Sequence, residues 1–237
     1  MTHRVEAGHV QSVDPAFFEN DLPIYEVVGK QDIGDLLIEK DLVRPYEMEG
    51  ARANMLAVLE EVERRMPQLL MEEEAWSSIF IDYSPPHLYR LFRTVNSETL
   101  DGAQIRVSLH YFLPASGEDL EGSCEENLYH PHSWAAAMHL LDGDYYQHIG
   151  YADRLGADAD PRKLCILHQA SGSRYAMNDR MLWHQVIPKA DTPVTTLMVT
   201  YIPPGWEQKG PKPQQGMRAL SSQEMEFMLT QFTRLFP

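Results

Sequence analysis

The spacing of apolar residues changes near residue 80, and this change most limits the folds that the chain can adopt. Between Gly50 and Met66 apolar side chains recur every three or four residues, which predicts an amphipathic helix that ends before Pro67. A shorter helix is expected over Asp32–Lys40. After a break at Ser84–His87 the apolar residues alternate over short segments instead. The pattern therefore predicts a helical part followed by a β part.

The β part contains several short strand-like segments with turn residues between them, such as Asp101-Gly102 and Ser171-Gly172-Ser173. The predicted strands are Leu88–Asn96, Gln104–Leu113, His130–Leu141, Tyr145–Tyr151, Leu164–Gln169, Met181–Ile187 and Thr195–Ile202. Short strands joined by turns are typical of an antiparallel sandwich or barrel.

The last part of the chain predicts a linker followed by one helix. Ser221 and Glu224 have the spacing of a capping box, which marks the start of that helix. An apolar stripe is expected to pack against the barrel, and it comprises Met225, Phe227, Met228, Phe232 and Leu235. We expect three parts: a mostly helical N-terminal extension (1–87), a barrel (88–205), and a linker with the C-terminal helix (206–237).

Composition excludes several classes of function. The 237 residues include 20 Lys and Arg against 35 Asp and Glu, so the formal net charge is −15. A chain this acidic, without a basic patch, is not expected to bind nucleic acid. Because no stretch of apolar residues is long enough, neither a membrane span nor a signal peptide is expected. With two cysteines and no CxxC pair, a cytoplasmic location is expected.

Three histidines are the best candidates for a metal site. No phosphate-binding loop, nucleophile elbow or zincin motif is present, and no histidine is followed two residues later by Asp or Glu. His130 and His132 are two residues apart on a predicted strand, so both point to one face and can reach one ion. His184, on a later apolar strand, can supply a third ligand from the facing wall. The alternative is that these are ordinary strand and core histidines.

These residues resemble the two motifs of the cupin superfamily. His130-x-His132, the apolar strand that ends at Gly143, and His184 are similar to the cupin metal motifs over about residues 88–205. The usual glutamate of the first motif is replaced by alanine, at Ala136 or Ala137. The second motif also departs from the cupin pattern. Asp179-Arg-Met181 stands where the family usually has Pro-x-Gly, and Pro188 stands where it usually has an asparagine. Without the glutamate, the set resembles the three-histidine cupins, of which cysteine dioxygenase is an example.

The resemblance implies a double-stranded β-helix, or jelly-roll barrel, and a non-haem Fe(II) site formed by His130, His132 and His184. Three neutral imidazoles would leave room for a substrate atom and dioxygen, and no 2-oxoglutarate is needed. The predicted activity is therefore a dioxygenase for a small metabolite. Imidazole ligands also suit nickel, copper, zinc and manganese. The thiol dioxygenases' Ser-His-Tyr relay has no clear equivalent here, which puts a thiol substrate in doubt.

Substrate contacts are expected from strands next to the histidines. Four arginines stand among apolar neighbours in the strand region, and they are Arg90, Arg93, Arg106 and Arg174. We prefer Arg106 as a carboxylate clamp because it shares strand parity with His110, which is a candidate substrate contact. Tyr129 is a candidate for lining the site and for orienting dioxygen. His139 has the opposite parity to Ala136 and joins the metal ligands only if the strand contains a bulge.

Three competing functions remain at this point. The first is a cupin isomerase, lyase or hydrolase with a redox-silent metal. The second is a non-catalytic cupin that binds or stores a metabolite, and the third is a protein-modifying oxygenase that docks through its acidic helical part. A homodimer is plausible by resemblance to other cupins.

Overall fold

The computed structural model describes residues 22–45, 54–82, 87–114, 130–131, 134–154, 159–189, 192–204 and 217–237. Within these ranges the chain is mainly β, with twelve strands and three α-helices. The strands are β1 (Ile24–Val27), β2 (Lys30–Asp32), β3 (Ser77–Asp82), β4 (His87–Asn96), β5 (Gln104–Phe112), β6 (His130–Pro131), β7 (Ala136–Asp142), β8 (Asp144–Tyr151), β9 (Arg162–Ala170), β10 (Arg174–Met177), β11 (Leu182–Pro188) and β12 (Val194–Tyr201). The helices are α1 (Ile33–Glu39), α2 (Met55–Met71) and α3 (Ser222–Leu235), with a short 3-10 helix at Glu73–Ala75.

The strands form two sheets. One has five strands in the order β1-β9-β8-β11-β6, and the other has seven in the order β2-β10-β7-β12-β5-β4-β3. Pairing is antiparallel except where β1 joins β9 and β2 joins β10. From β7 onward the chain crosses repeatedly between the sheets, as in a jelly roll. The predicted fold class, a mainly β jelly roll with flanking helices, is confirmed.

Two apolar cores follow from the alternation of side chains along the strands. One core lies between the sheets and includes Met138, Tyr145 and Leu167. The other joins the seven-stranded sheet to α2 and α3, for example through Leu109. In β5, Ile105, Val107 and Leu109 face the helices, whereas Phe112 belongs to the core between the sheets. The even-numbered residues of β5 therefore face the interior of the sandwich.

The N-terminal part contributes strands as well as helices. The sequence predicts a mostly helical extension over 1–87, but β1, β2 and β3 lie within it and join the sheets. Each is a short strand at or near a sheet edge, so its main-chain partners, not a long alternating pattern, determine its conformation. No helix in the described ranges combines the length and apolar character needed to cross a membrane.

Helix α2 continues past the proline that was expected to end it. It runs from Met55 to Met71 with Pro67 inside, so the prediction that it ends at Met66 is wrong. Proline has no N–H to donate to the carbonyl four residues earlier, which costs about 3 kcal/mol in a helix interior. Burial of Leu69 and Leu70 against the sheet compensates for that loss.

The two other predicted helices are present. Asp32 caps α1 by accepting a hydrogen bond from the Asp35 backbone N–H at 3.1 Å. Ser221 and Glu224 form the predicted capping box at the start of α3. The buried face of α3 is narrower than expected, because Phe227 and Leu235 remain partly exposed. Its buried residues are Met228, Leu229 and Phe232.

Candidate metal and substrate site

His184 lies on β11 and points into the sandwich, where its side chain is only 4% exposed. Its Nδ1 is 2.6 Å from Nε2 of the Gln147 amide on the neighbouring strand β8. Gln147 is fully buried and accepts a hydrogen bond from the Gln169 amide on β9, also at 2.6 Å. A row of buried amides across three adjacent strands therefore fixes the His184 ring.

This amide row decides which nitrogen of His184 can bind a ligand. An amide NH2 can only donate, so the Gln147 contact makes Nδ1 the acceptor and places the ring proton on Nε2. A half-turn of both the Gln147 and the Gln169 amides presents the Gln147 oxygen to Nδ1, keeps a hydrogen bond between the two amides, and selects the tautomer with Nδ1–H. In that tautomer Nε2 carries the lone pair that a metal ion needs. Gln147 therefore controls whether His184 can be a ligand.

His130 lies beside His184 on the neighbouring strand. Strand β6 pairs with β11 so that His130 is directly opposite His184, and their ring centres are 4.7 Å apart with planes inclined at 58°. Two imidazoles that bind one ion at about 2.1 Å hold their ring centres roughly 5 Å apart. His130 is exposed, which gives the pair an open side. The separation of the rings fits a shared metal ion.

Two of the predicted site residues cannot be placed. His132 and Tyr129 lie outside the described residues, so the structure brings together two of the three predicted ligands. The predicted strand His130–Leu141 is divided into β6, which ends at Pro131, and β7, which starts at Ala136. Among the described residues no three His, Cys, Asp or Glu side chains form a group that could hold an ion.

His110 and Arg106 share a face of β5, as their parity predicts. Both are even-numbered in a strand whose odd residues face the helices, so both point between the sheets. Nδ1 of His110 is 3.0 Å from Oγ1 of Thr196 on β12. His110 is 6% exposed, whereas Arg106 is only half-buried. The interior face of β5 therefore combines a buried imidazole with a more accessible guanidinium.

The four candidate arginines fall into two pairs. Arg93 donates to the Leu69 carbonyl at 2.9 Å and pairs with Glu72, and Arg174 pairs with Glu63 at 2.9 Å, so both face helix α2. Arg90 and Arg106 point to the other side of the seven-stranded sheet. Only this second pair can contribute to a site inside the sandwich.

His139 does not lie with the other histidines. Its Nδ1 is 2.6 Å from Oε1 of Glu63 on α2, and Glu63 also pairs with Arg174. Burial favours the neutral carboxyl, but the bonds from His139 and Arg174 outweigh it and lower the pKa of Glu63. Strand β7 is regular at this point, so His139 faces α2 as its parity predicts.

Three other side chains that could be reactive, two tyrosines and a cysteine, are structural. The hydroxyls of Tyr145 and Tyr175 are 2.6 Å apart, and burial raises the pKa of both phenols. Tyr145 and Tyr175 are therefore part of the core. Burial also raises the pKa of the Cys165 thiol to about 12, so this cysteine is not an activated nucleophile.

The sequence reasoning missed Gln147 and Gln169. Both occupy inward positions in apolar strands, at alternate residues with Tyr145 and Leu167 respectively. A glutamine at a core position requires hydrogen-bond partners, and this was the signal available in the sequence. Their partner His184 lies in a different strand, so only the folded chain identifies the contact.

No protein-family model matches the sequence, and no curated protein matches it. Among solved structures, a vicilin from Solanum melongena matches with a TM-score of 0.31 and 8% identity, covering 47% of this chain and 28% of its own. A hydroxypropylphosphonic acid epoxidase from S. wedmorenis matches with a TM-score of 0.30 and 10% identity, covering 53% and 55%. A variant of Bacillus subtilis oxalate decarboxylase matches with a TM-score of 0.29 and 12% identity, covering 49% of this chain and 26% of its own.

These likenesses concern part of each molecule. This chain spans between about a quarter and just over half of the length of the three neighbours. Their TM-scores are near 0.3 and their identities are 8–12%, so the cupin resemblance of the sequence stays a prediction. They do not distinguish the three-histidine dioxygenase subtype, which stays a prediction.

Proposed function

We propose that this chain is a metal-dependent dioxygenase that holds Fe(II) through His130, His132 and His184 and acts on a small carboxylate-bearing metabolite. One observation carries the proposal: the imidazoles of His130 and His184 face each other on paired strands with ring centres 4.7 Å apart. His132 follows His130 by two residues and would complete the set. Neutral imidazoles suit iron, although they suit other divalent transition metals as well.

When bound, Fe(II) would supply the activation of dioxygen. The protein's own groups have separate tasks. Gln147 orients His184 through its 2.6 Å contact with Nδ1, and with its amide oxygen turned to Nδ1 it would select the tautomer whose Nε2 binds the metal. Arg106 binds the substrate carboxylate through two parallel N–H donors. His110, held by Thr196, supplies a polar contact on the same face of β5. Tyr129, which lies outside the described residues, would donate a hydrogen bond that orients dioxygen.

The overall reaction balances with the organic substrate and dioxygen alone. A dioxygenase places both atoms of dioxygen in the product, and the substrate supplies all four electrons. No external reductant and no 2-oxoglutarate is therefore consumed. Location in the cytoplasm and assembly as a homodimer belong to the same proposal.

The test is a metal analysis joined to an oxygen measurement. Full-length protein is purified without an affinity tag, its metal content is measured by mass spectrometry, and dioxygen uptake is followed with small amino acids, carboxylic acids and thiols. About one iron per chain, with uptake triggered by one of these compounds, supports the proposal. Zinc or nickel without uptake would instead favour an isomerase or lyase. Protein without metal, unchanged in stability by chelators, would favour a metabolite-binding cupin.

A further inference from the structure

Arg90 and Arg106 lie on the same face of adjacent strands. In β4, Leu91 and Val95 belong to the core beneath the helices, whereas Leu88 belongs to the core between the sheets. Arg90 therefore points between the sheets, as Arg106 does from β5. The other two candidate arginines, Arg93 and Arg174, face helix α2.

The pairing of β4 with β5 places Arg90 and Arg106 four residues apart along the strands, with Thr94 opposite Arg106. Arg90 is opposite His110, and Phe92 is opposite Ser108, two residues nearer to Arg106. The Arg106 guanidinium carbon is 5.6 Å from the centre of the Phe92 ring, so its side chain extends along the strand towards Arg90. Burial, and then the positive charge of Arg90, lower the pKa of Arg106. The positive charge of Arg90 therefore acts on the Arg106 guanidinium across the face that the two strands share.

We infer that Arg90 and Arg106 form a binding site for a small molecule that carries two negative charges. A monocarboxylate neutralises one guanidinium and leaves the repulsion from the other, whereas a doubly charged molecule neutralises both. The inference rests on the proposed function, because it assigns the second charge of the substrate whose first carboxylate binds Arg106.

The lining of this face suits such a ligand. Ser108 and His110 lie on β5 between the two arginines and offer neutral polar groups. Arg90 and Arg106 are each half-buried, so a small ligand can reach them while much of the surrounding water is excluded. Partial exclusion of water strengthens the attraction between a guanidinium and an anion.

The experiment measures binding to metal-free protein, so it does not depend on whether the chain binds iron. Full-length protein is treated with a chelator and titrated by calorimetry at low ionic strength with succinate, butyrate and inorganic phosphate. Succinate carries its two charges at opposite ends, and phosphate carries them on one group. Butyrate is the matched monocarboxylate. We expect succinate or phosphate to bind at least tenfold more tightly than butyrate.

Two variants and a control assign the site. Arg90→Gln and Arg106→Gln are each expected to weaken binding of the preferred dianion at least tenfold. In both variants the affinity for the dianion should then be similar to the affinity for butyrate. Arg93→Gln removes a cation from the opposite face of the same sheet and is expected to leave binding within twofold. Arg90→Lys retains the charge, so it shows whether a loss comes from charge or from misfolding.

Equal affinity for succinate, phosphate and butyrate, or no binding of any of them, would overturn the inference. Unchanged dianion binding by Arg90→Gln would do the same. A chain that binds the dianion in this way but contains no iron and consumes no dioxygen would refute the proposed reaction while retaining the anion site. Iron and dioxygen uptake without a preference for dianions would refute the anion site while retaining the proposed reaction.

Discussion

Gln147 holds the ring of His184 through a 2.6 Å contact between its amide and Nδ1, and it is itself held by Gln169. The contact joins strand β8 to strand β11 inside the sandwich, and all three side chains are buried. Because the amide can present either NH2 or oxygen to Nδ1, its orientation sets the tautomer of the imidazole. The affinity of the site for a metal therefore depends on a residue that does not bind the metal.

Substitution at Gln147 tests this dependence. Gln147→Leu removes the amide oxygen that can accept from Nδ1–H and so hold the metal-binding tautomer, and we expect metal affinity to fall about 10- to 100-fold. In Gln147→Glu a carboxylate can accept only from Nδ1–H, which leaves the Nε2 lone pair for the metal, so affinity is retained. Chelator competition with Zn²⁺ measures both. Equal affinity in the leucine variant and the parent protein would show that Gln147 has no such role.

His184 and His139 form a matched pair for assigning the ligands. We expect His184→Ala to lose most of its bound metal while the barrel stays folded, because the ring is at the centre of the site. His139→Ala should keep the metal, since His139 contacts Glu63 on the face towards α2. Metal content and circular dichroism are measured on both. Full metal occupancy in His184→Ala would refute the three-histidine site.

Glu61 should make stability depend on pH in the acid range. Burial alone would raise the pKa of this 2%-exposed carboxylate, but hydrogen bonds from Thr99, Ser97 and Glu98 outweigh it and lower the pKa from 4.5 to about 2. Because the folded-state pKa is below the unfolded one, the ionised carboxylate stabilises the fold above about pH 4.5. That stabilisation, about 3 kcal/mol, is lost as the pH falls towards 2.

The variant Glu61→Gln isolates this contribution. Urea unfolding at pH 7 should show it less stable than the parent by roughly 1–3 kcal/mol, and the difference should shrink between pH 4.5 and 2. Glu60→Gln, at the neighbouring exposed position paired with Lys30, is the control and should change stability little. A difference from the parent that stays constant from pH 7 to pH 2 would contradict the assignment.

Gly143 is required for both its backbone angle and its lack of a side chain. It has φ of +81°, and a Cβ added there would lie 2.6 Å from the Pro193 carbonyl oxygen. We expect Gly143→Ala to cost about 3 kcal/mol. Gly102→Ala is the control, since Gly102 has a similar φ of +83° with open space around it, and it should cost only about 1 kcal/mol. Equal losses in thermal or urea unfolding would show that the contact with Pro193 is relieved by a small movement.

The sequence by itself determined features that depend on near neighbours in the chain. Period-two alternation located β4, β5 and β12 almost to the residue, and the same parity placed Arg106 and His110 on one face. The capping box at Ser221 identified the start of α3, because its hydrogen bonds span only three residues. These features are local, so they can be recognised before the rest of the fold is known.

Only the tertiary structure decided the features that depend on residues far apart in sequence. The short strands β1 and β10 exist because the longer strands β9 and β7 supply their hydrogen bonds, and β2 in turn pairs with β10. Helix α2 continues past Pro67 because its last turn is buried on the sheet. Glu63 meets Arg174 across 111 positions, which separates Arg174 from the arginines inside the sandwich. The partnership of Gln147 with His184 likewise arises from the stacking of strands. Such contacts are set by the packing of the whole sandwich, and no local pattern encodes them.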